Sequence, residues 1–394
     1  MTTTTTKLKT DSNARETGAS ASASPSPSPI KVKLSPVEQT MLTTLKGRAD
    51  DAASPKPILG DVQAQKILDR VDLDDGGVSP SLLPADPRYS HYSAARAKQL
   101  DSWCLDFLIK AQVQQAQQAK EKGKKEEEEK SEQDGGVGVT VLHLACGLDL
   151  RAMRVRQACG EGGVEVNVQW IDLDRPEVAN VRRRLIPDPD ASDISVSPPS
   201  PKPSEVNSKE KKSGEVILSK SSSSSSSNWE YKLVGASVFD EDWLEELVPR
   251  DRPLLIIAEG LFPYLAEEQA LSLIQRLVDH ASSTGGHGQI MFDTVGTILT
   301  RFHCLMPLYK KTGIKMAWGV DDAEKQVAGK LKLKANKAHS QRRWQLRFVE
   351  VTLLKDLLPG RFASAAPPCL GVWTPLFSLL PSWRTYGQVL RFEF

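Results

Sequence analysis

Three short stretches of the chain carry polar groups at points where apolar runs stop. In "VLHLACGLDLRAMRV" (141–155) the run breaks at Cys146 and Gly147, and a helix-like pattern follows at once. A glycine in such a strand-to-helix turn lets the backbone approach a ligand closely or take positive φ. The amides that open the following helix favour negative charge. The turn is not a GxGxxG fingerprint, because Ala145 stands where a first glycine would, and a bare turn of this kind serves packing as readily as binding. About 25 residues on, "DLD" closes a second apolar run. A carboxylate at that point accepts ribose hydroxyls. Asp172 and Asp174 share one side of an extended strand. Asp174, nearer the strand end, is the first choice, and the alternative is a solvated acid complementing a helix start. Turn and acid together indicate a nucleoside, carried by a dinucleotide or by S-adenosylmethionine. Finally, Glu259 follows the apolar residues Leu255 to Ala258. A buried, unpaired carboxylate is costly, so a cationic partner is expected: the ammonium of a methionyl group, or a salt-bridging side chain.

These residues need a sheet to bring them together, and the pattern supplies one. "VTVLHLA", "VEVNVQWIDLD", "WEYKLVGASVF", "PLLIIAEG" and "GQIMFDTV" read as strands. Between them lie helical patterns: "DLRAMRVRQAC", "PEVANVRRRLI" with Pro176 in its first turn, "DEDWLEELV", and a helix from Glu267 with Leu271, Ile274, Leu277, Val278 and Ala281 on one face. Alternation of this kind predicts an α/β fold, a doubly wound parallel sheet. "QVLRFEF" reads as a closing strand. Upstream, Leu100, Trp103, Cys104, Phe107 and Leu108 mark an amphipathic helix within 93–110. Three tracts are too polar or too biased to order themselves: an N-terminal tail at 1–33, a charged linker at 118–137 and a Ser/Pro/Lys-rich insertion at 188–227. That leaves one domain over 34–394, with a helical cap at 34–117 and an α/β core at 138–187 and 228–394.

Composition narrows the class further. Lys and Arg total 51 against 50 Asp and Glu, so no global field points to nucleic acid. The five cysteines are scattered, with no CxxC pair, which fits a reduced, cytoplasmic protein. No apolar run approaches the ~20 residues that span a bilayer, and no membrane partner is expected. No histidine pair has metal-ligand spacing, so no metal is expected. His303 and His91 are the candidate bases should the reaction need one, each more readily explained as a structural histidine. Trp318, Phe302, Tyr309 and Met316 are candidates for an apolar pocket or simply for core. A serine hydrolase is disfavoured, since "GASVF" is not a GxSxG elbow.

Taken in order, "LHLACGLDLRAMRV", "WIDLDRPEVANVRRRLIP", "IIAEGLFPYLAEEQ" and "GQIMFDTV" resemble the leucine carboxyl methyltransferase-like family, and within it the polyketide-synthesis O-methyltransferases. "VEQTMLTTLKGRA", "YSAARAKQLDSWCLDFL" and "MAWGVDDAEK" extend the likeness over about 35–110 and 138–330. The resemblance implies a class I, Rossmann-like methyltransferase fold that uses S-adenosylmethionine. It implies Gly147 against the methionyl part, Asp174 on the ribose with Asp172 near it, Glu259 facing the amino group and Arg96 pairing with the methionyl carboxylate. Tyr264 would border the methyl group or the acceptor, and Lys46 or Arg48 would reach the site from the N-terminal helix. Two departures stand out. Ala145 replaces a usual glycine. Ser237, with Asp240 three residues on, stands where leucine carboxyl methyltransferases proper place an adenine-binding aspartate. The implied function is O-methylation of a carboxylate or hydroxyl of a small, polyketide-like molecule. A protein-carboxyl methyltransferase and a noncatalytic cofactor-binding regulator are the alternatives. An NAD-dependent dehydrogenase is a weaker rival, because it would want the full glycine fingerprint. Oligomeric state is not encoded in any pattern found.

Overall fold

The structure is a computed structural model that describes residues 29–72 except 33 and 36, then 87–123, 138–186, 228–283, 287–305, 309–310, 313–331, 346–357, 385 and 387–394. Most of the tail, most of the charged linker and the Ser-rich insertion lie outside the described residues.

A seven-stranded sheet forms the centre, in the order β5-β4-β3-β6-β7-β9-β8. Its strands are β3 (Val139–Leu144), β4 (Val168–Asp174), β5 (Trp229–Gly235), β6 (Leu254–Ala258), β7 (Gly288–Thr294), β8 (Arg347–Leu353) and β9 (Gln388–Glu393). The first five are parallel; β9 runs antiparallel between β7 and β8. Every residue of β3, β6 and β7 is buried, the pattern of strands covered on both faces. The expected closing strand is therefore an interior one, and β8 is an additional edge strand absent from the sequence reading.

The chain winds outward from β3 through β4 to β5, then returns to β6 on the other side of β3. A crevice opens at such a reversal, beyond the carboxyl ends of the strands. The helices that frame it are α4 (Arg151–Gly162), α5 (Pro176–Leu185), α6 (Asp242–Leu247), α7 (Glu267–Ser282) and α8 (Thr297–Phe302). Local chemistry sets their ends. Helix α5 opens on Pro176 and Glu177 and closes on Arg182, Arg183 and Arg184, in accord with the helix dipole. Helix α4 stops at Gly163, whose φ of 64° lets Val164 N–H return to the Cys159 carbonyl.

The N-terminal cap consists of α1 (Thr40–Ala52), α2 (Val62–Leu68) and α3 (Pro87–Gly123), which is longer at both ends than the 93–110 pattern. A two-stranded parallel sheet, β1 (Ile30–Lys31) with β2 (Val71–Asp72), joins it. Val32 and Leu34 are buried there, so structured chain reaches into the interval read as tail. Leu42 and Leu45 of α1 pack against Leu148, Leu150, Val181 and Leu185. Arg70 donates to the carbonyls of Arg184 and Leu185 at the end of α5. Through Leu148 and Leu150, which follow β3, α1 sits over the carboxyl-end side of the sheet, while α3 packs across one sheet face beside Val141, Leu255 and Met291. No helix among the described residues is long and apolar enough to cross a membrane.

Candidate cofactor and active site

The turn after β3 is built from two left-handed residues flanking Cys146: Ala145 at φ 50° and Gly147 at φ 51°. Alanine holds that conformation at a cost of about 1–2 kcal/mol relative to the right-handed region, and the surrounding bonds enforce it. Gly147 N–H donates to Asp174 Oδ2 at 2.7 Å, and Arg175 N–H donates to Asp174 Oδ1 at 2.7 Å. Arg182 donates to the carbonyls of Gly147 and Asp149 at 2.9 and 2.7 Å. A Cβ on Gly147 would stand 3.3 Å from Met41 Cβ, so α1 closes tightly over the turn.

Asp172 corrects the sequence reading. Its carboxylate accepts from Arg182 at 2.6 Å, Trp170 Nε1 at 2.7 Å, Tyr231 OH at 2.8 Å and His143 Nδ1 at 3.0 Å. Burial acts to raise its pKa, but Arg182 and these donors outweigh burial and hold it at about 2. Four donors occupy this carboxylate, and it has no share in the cavity wall. It orients Arg182, which in turn holds the turn carbonyls. Asp174 is the acid that faces the cavity, and burial raises its carboxyl despite the two amides.

Beside the turn lies a buried ionic lattice. Arg96 donates to Glu259 Oε1 at 2.9 Å and to Asp293 Oδ2 at 2.7 Å. Arg151, with a side chain 0% exposed, reaches Glu259 Oε2 at 2.5 Å, Asp101 at 2.6 Å and His143 Nε2 at 3.0 Å. A guanidinium has no acceptor, so His143 accepts at Nε2, donates at Nδ1 to Asp172 and is neutral. Arg154 pairs with Asp101, Asp149 and Asp61 at 2.7, 2.9 and 3.0 Å. Arg48 donates to the Leu148 carbonyl and lies 3.5 Å from Asp61 and 3.8 Å from Asp149. Burial pushes the Glu259 carboxyl up, yet Arg96 and Arg151 prevail and hold it at about 2, against an ordinary 4.5. A depressed carboxyl contributes stability above its unfolded pKa, and that contribution disappears as pH falls through the folded one. The Glu259 contribution should therefore be complete above about pH 4.5 and be lost toward about pH 2. Urea unfolding at about pH 5 and about pH 3 measures it, and Glu259→Gln should flatten the difference.

Turn and lattice form one wall of a cavity of about 590 Å³. Its far end is apolar: Val295, Leu299, Tyr309, Ile314 and Met316 cluster there with half-buried Tyr264 against them. Arg96, Ala145, Gly147, Asp174, Ser237, Glu259 and Tyr264 all line this one space. Asp240 does not: its carboxylate accepts from Ser237 N–H at 2.9 Å and shapes the loop after β5. Lys46 pairs with Asp50 outside the wall, whereas Arg48 reaches it. His303 donates from Nδ1 to the Thr300 carbonyl and accepts Met316 N–H at Nε2, which leaves it structural; His91 also lies outside the lining. Of the four apolar candidates, Tyr309 and Met316 line the cavity, Trp318 stacks on Phe292 in the core, and Phe302 is 46% exposed. The sequence reading missed Asp149, Arg151, His143 and Asp293.

Comparison with known proteins bears on this wall. The sequence model of the leucine carboxyl methyltransferase family matches residues 129–278. The tetracenomycin polyketide synthesis O-methyltransferase TcmP of Streptomyces glaucescens is 31% identical over 288 residues, covering 73% of this chain and 77% of that protein. The S-adenosyl-L-methionine-dependent methyltransferase dpfgK of Gibberella zeae is 30% identical over 297 residues, with the same 73% and 77% coverage. Among solved structures, a DUF574 family protein from Streptomyces avermitilis is similar with a TM-score of 0.44 at 9% identity, over 90% of this chain and 98% of that one.

Proposed function

Given that the chain belongs to the leucine carboxyl methyltransferase family, and so is an S-adenosylmethionine-dependent methyltransferase, we propose that it methylates a carboxyl group of an apolar small molecule. The observation that carries this reading is the continuity of one cavity, charged at the lattice and apolar around Tyr309 and Met316.

The residues present fit the cofactor. Each Asp174 oxygen accepts one backbone amide and so keeps a lone pair for a ribose hydroxyl. Arg96 offers a guanidinium to a carboxylate, and Glu259 stays ionised to receive an ammonium. Ser237 and Phe239 border the space beside Asp174. When bound, S-adenosylmethionine supplies an electrophilic methyl group on sulfur. The protein's part is to hold the acceptor oxygen in line with it, and positioning of that kind contributes as much as ~7–11 kcal/mol.

The wall also speaks to the acceptor. His143 is the one histidine among the described lining residues, and its Nε2 already accepts from Arg151. The lining carboxylates Glu38, Asp149, Asp174, Glu259 and Asp293 are all held by amides or guanidinium groups. An acceptor that arrives ionised needs no base from this set, which favours a carboxylate over a neutral alcohol or phenol. The role of TcmP in polyketide synthesis supports a small molecule rather than a protein terminus. The test is incubation with methyl-labelled S-adenosylmethionine and a panel of polycyclic aromatic carboxylic acids, matched phenols and a peptide ending in leucine. Base-labile label on the acids is expected. Base-stable label on the phenols, or label on the peptide alone, would overturn the assignment.

A further inference from the structure

The lattice beside the turn does not balance. Five carboxylates, Asp61, Asp101, Asp149, Glu259 and Asp293, interlock with four guanidinium groups, Arg48, Arg96, Arg151 and Arg154. His143, neutral by its bonding, adds no charge. Among the described residues one negative charge is left over, on side chains that are at most 17% exposed.

The pairing shows where it falls. Asp149 faces three guanidinium groups, and Asp61, Asp101 and Glu259 face two each. Asp293 has Arg96 alone among the described residues, and Arg96 is already shared with Glu259. Its other oxygen accepts the Gly260 amide at 2.6 Å, and the side chain is 5% exposed. Burial raises its carboxyl, and Arg96 does not bring it back. Asp293 also occupies a particular place. It lines the cavity at the end of β7, and two residues on, Val295 begins the apolar end. The surplus charge therefore stands where the charged wall meets the acceptor pocket.

We propose that Asp293 is a further anionic contact for the cofactor, and that it makes the site select the cationic sulfonium over the uncharged thioether product. This rests on the cofactor occupying the cavity as argued above. At neutral pH, S-adenosylmethionine carries one net positive charge: sulfonium and ammonium against one carboxylate. S-adenosylhomocysteine carries none. A buried, under-compensated carboxylate gains from an entering cation and gains nothing from a neutral ligand of the same shape. Methyl transfer removes the charge, so the product loses the contact that held the substrate form. The balance is complete: the methyl group leaves sulfur with no electrons, sulfur keeps the bonding pair, and the acceptor carboxylate oxygen supplies the pair for the new bond.

Calorimetric titration at low salt tests this with three ligands: S-adenosylmethionine, S-adenosylhomocysteine, and sinefungin, which carries an amine in place of the methylsulfonium. The unaltered protein is expected to bind the two cations about ten-fold more tightly than S-adenosylhomocysteine, since a unit charge acts strongly at low effective dielectric. In Asp293→Asn the gap should close to about two-fold through weaker cation binding, with the S-adenosylhomocysteine affinity unchanged. Equal or tighter binding of S-adenosylhomocysteine by the unaltered protein would overturn the proposal without any variant, so a poorly folded Asp293→Asn does not leave it undecided. An equal loss for all three ligands in the variant would overturn it too. Failure of every adenosyl compound to bind the unaltered protein is a separate result, and it removes the cofactor from this cavity altogether.

Discussion

Arg151→Leu is expected to lower the unfolding free energy by about 3–5 kcal/mol, the range found when one partner of a buried ion pair is deleted. Arg151 is buried at the start of α4, yet its guanidinium meets Asp101 from α3, Asp149 from the turn and Glu259 from the end of β6. Leucine would leave these largely buried carboxylates facing fewer cations. It would also leave His143 Nε2 without its donor. Urea unfolding monitored by tryptophan fluorescence measures the change. Arg154→Leu is the comparison, because that side chain is 17% exposed and its partners retain Arg151 or Arg48; a smaller loss is expected there. A cost below about 1 kcal/mol for Arg151→Leu would mean that the lattice is hydrated and that the charge argument does not hold.

Asp174→Ala should act on binding instead. Hydrogen bonds to a charged group contribute about 1.5–3 kcal/mol each, so losing the ribose hydroxyls should weaken S-adenosylmethionine binding by roughly 100-fold. Stability should fall less than in Asp172→Ala: the Gly147 and Arg175 amides lose their acceptor, but removal of a carboxyl that burial raises relieves an unfavourable charge. Asp172→Ala should show the reverse balance. It strands the fully buried Arg182, so a large stability loss should accompany a smaller loss of affinity, transmitted through the turn carbonyls. Calorimetry paired with thermal unfolding on both variants separates the two roles. Comparable loss of affinity with intact stability in Asp172→Ala would return that residue to the cofactor.

The strands β3, β6 and β7 were legible because burial on both faces writes them as mostly apolar runs, and β4 and β5 because each is rich in β-branched and aromatic residues. Edge strand β8 was not: Val349 and Val351 are exposed on one face, and "RFVEVTL" carries too little apolar weight to stand out. Asp174 and Glu259 were found because each ends an apolar run, where an acid needs a reason. Asp172 was misplaced by a sound rule. It does share a side of β4 with Asp174, but one step deeper Arg182 of α5 claims it, and that contact cannot be read from strand periodicity. The lattice was hidden for a related reason. Arg151 and Arg154 look like the solvated face of an amphipathic helix, while their partners lie elsewhere in the chain, with 50 residues between Arg151 and Asp101 and 108 between Arg151 and Glu259. Asp293 in "GQIMFDTV" ends its apolar run much as Glu259 does; the same test applied to the fifth strand would have found it.

The two long biased intervals share an attachment geometry. The chain between α5 and β5 enters the sheet at Trp229, and the chain between α3 and β3 enters at Val139; both are the amino ends of their strands. Phe107 and Ala111, on the later part of α3, lie beside Gly288 at the start of β7, the same end of the sheet. The cavity lies at the other end, lined by Gly147, Asp174 and Glu259. Extra length spliced between these anchor points adds little closure entropy and leaves the spacing of Gly147, Asp174, Glu259 and Asp293 untouched. For the same reason either interval should accept an inserted fluorophore, affinity tag or tether without redrawing the cavity.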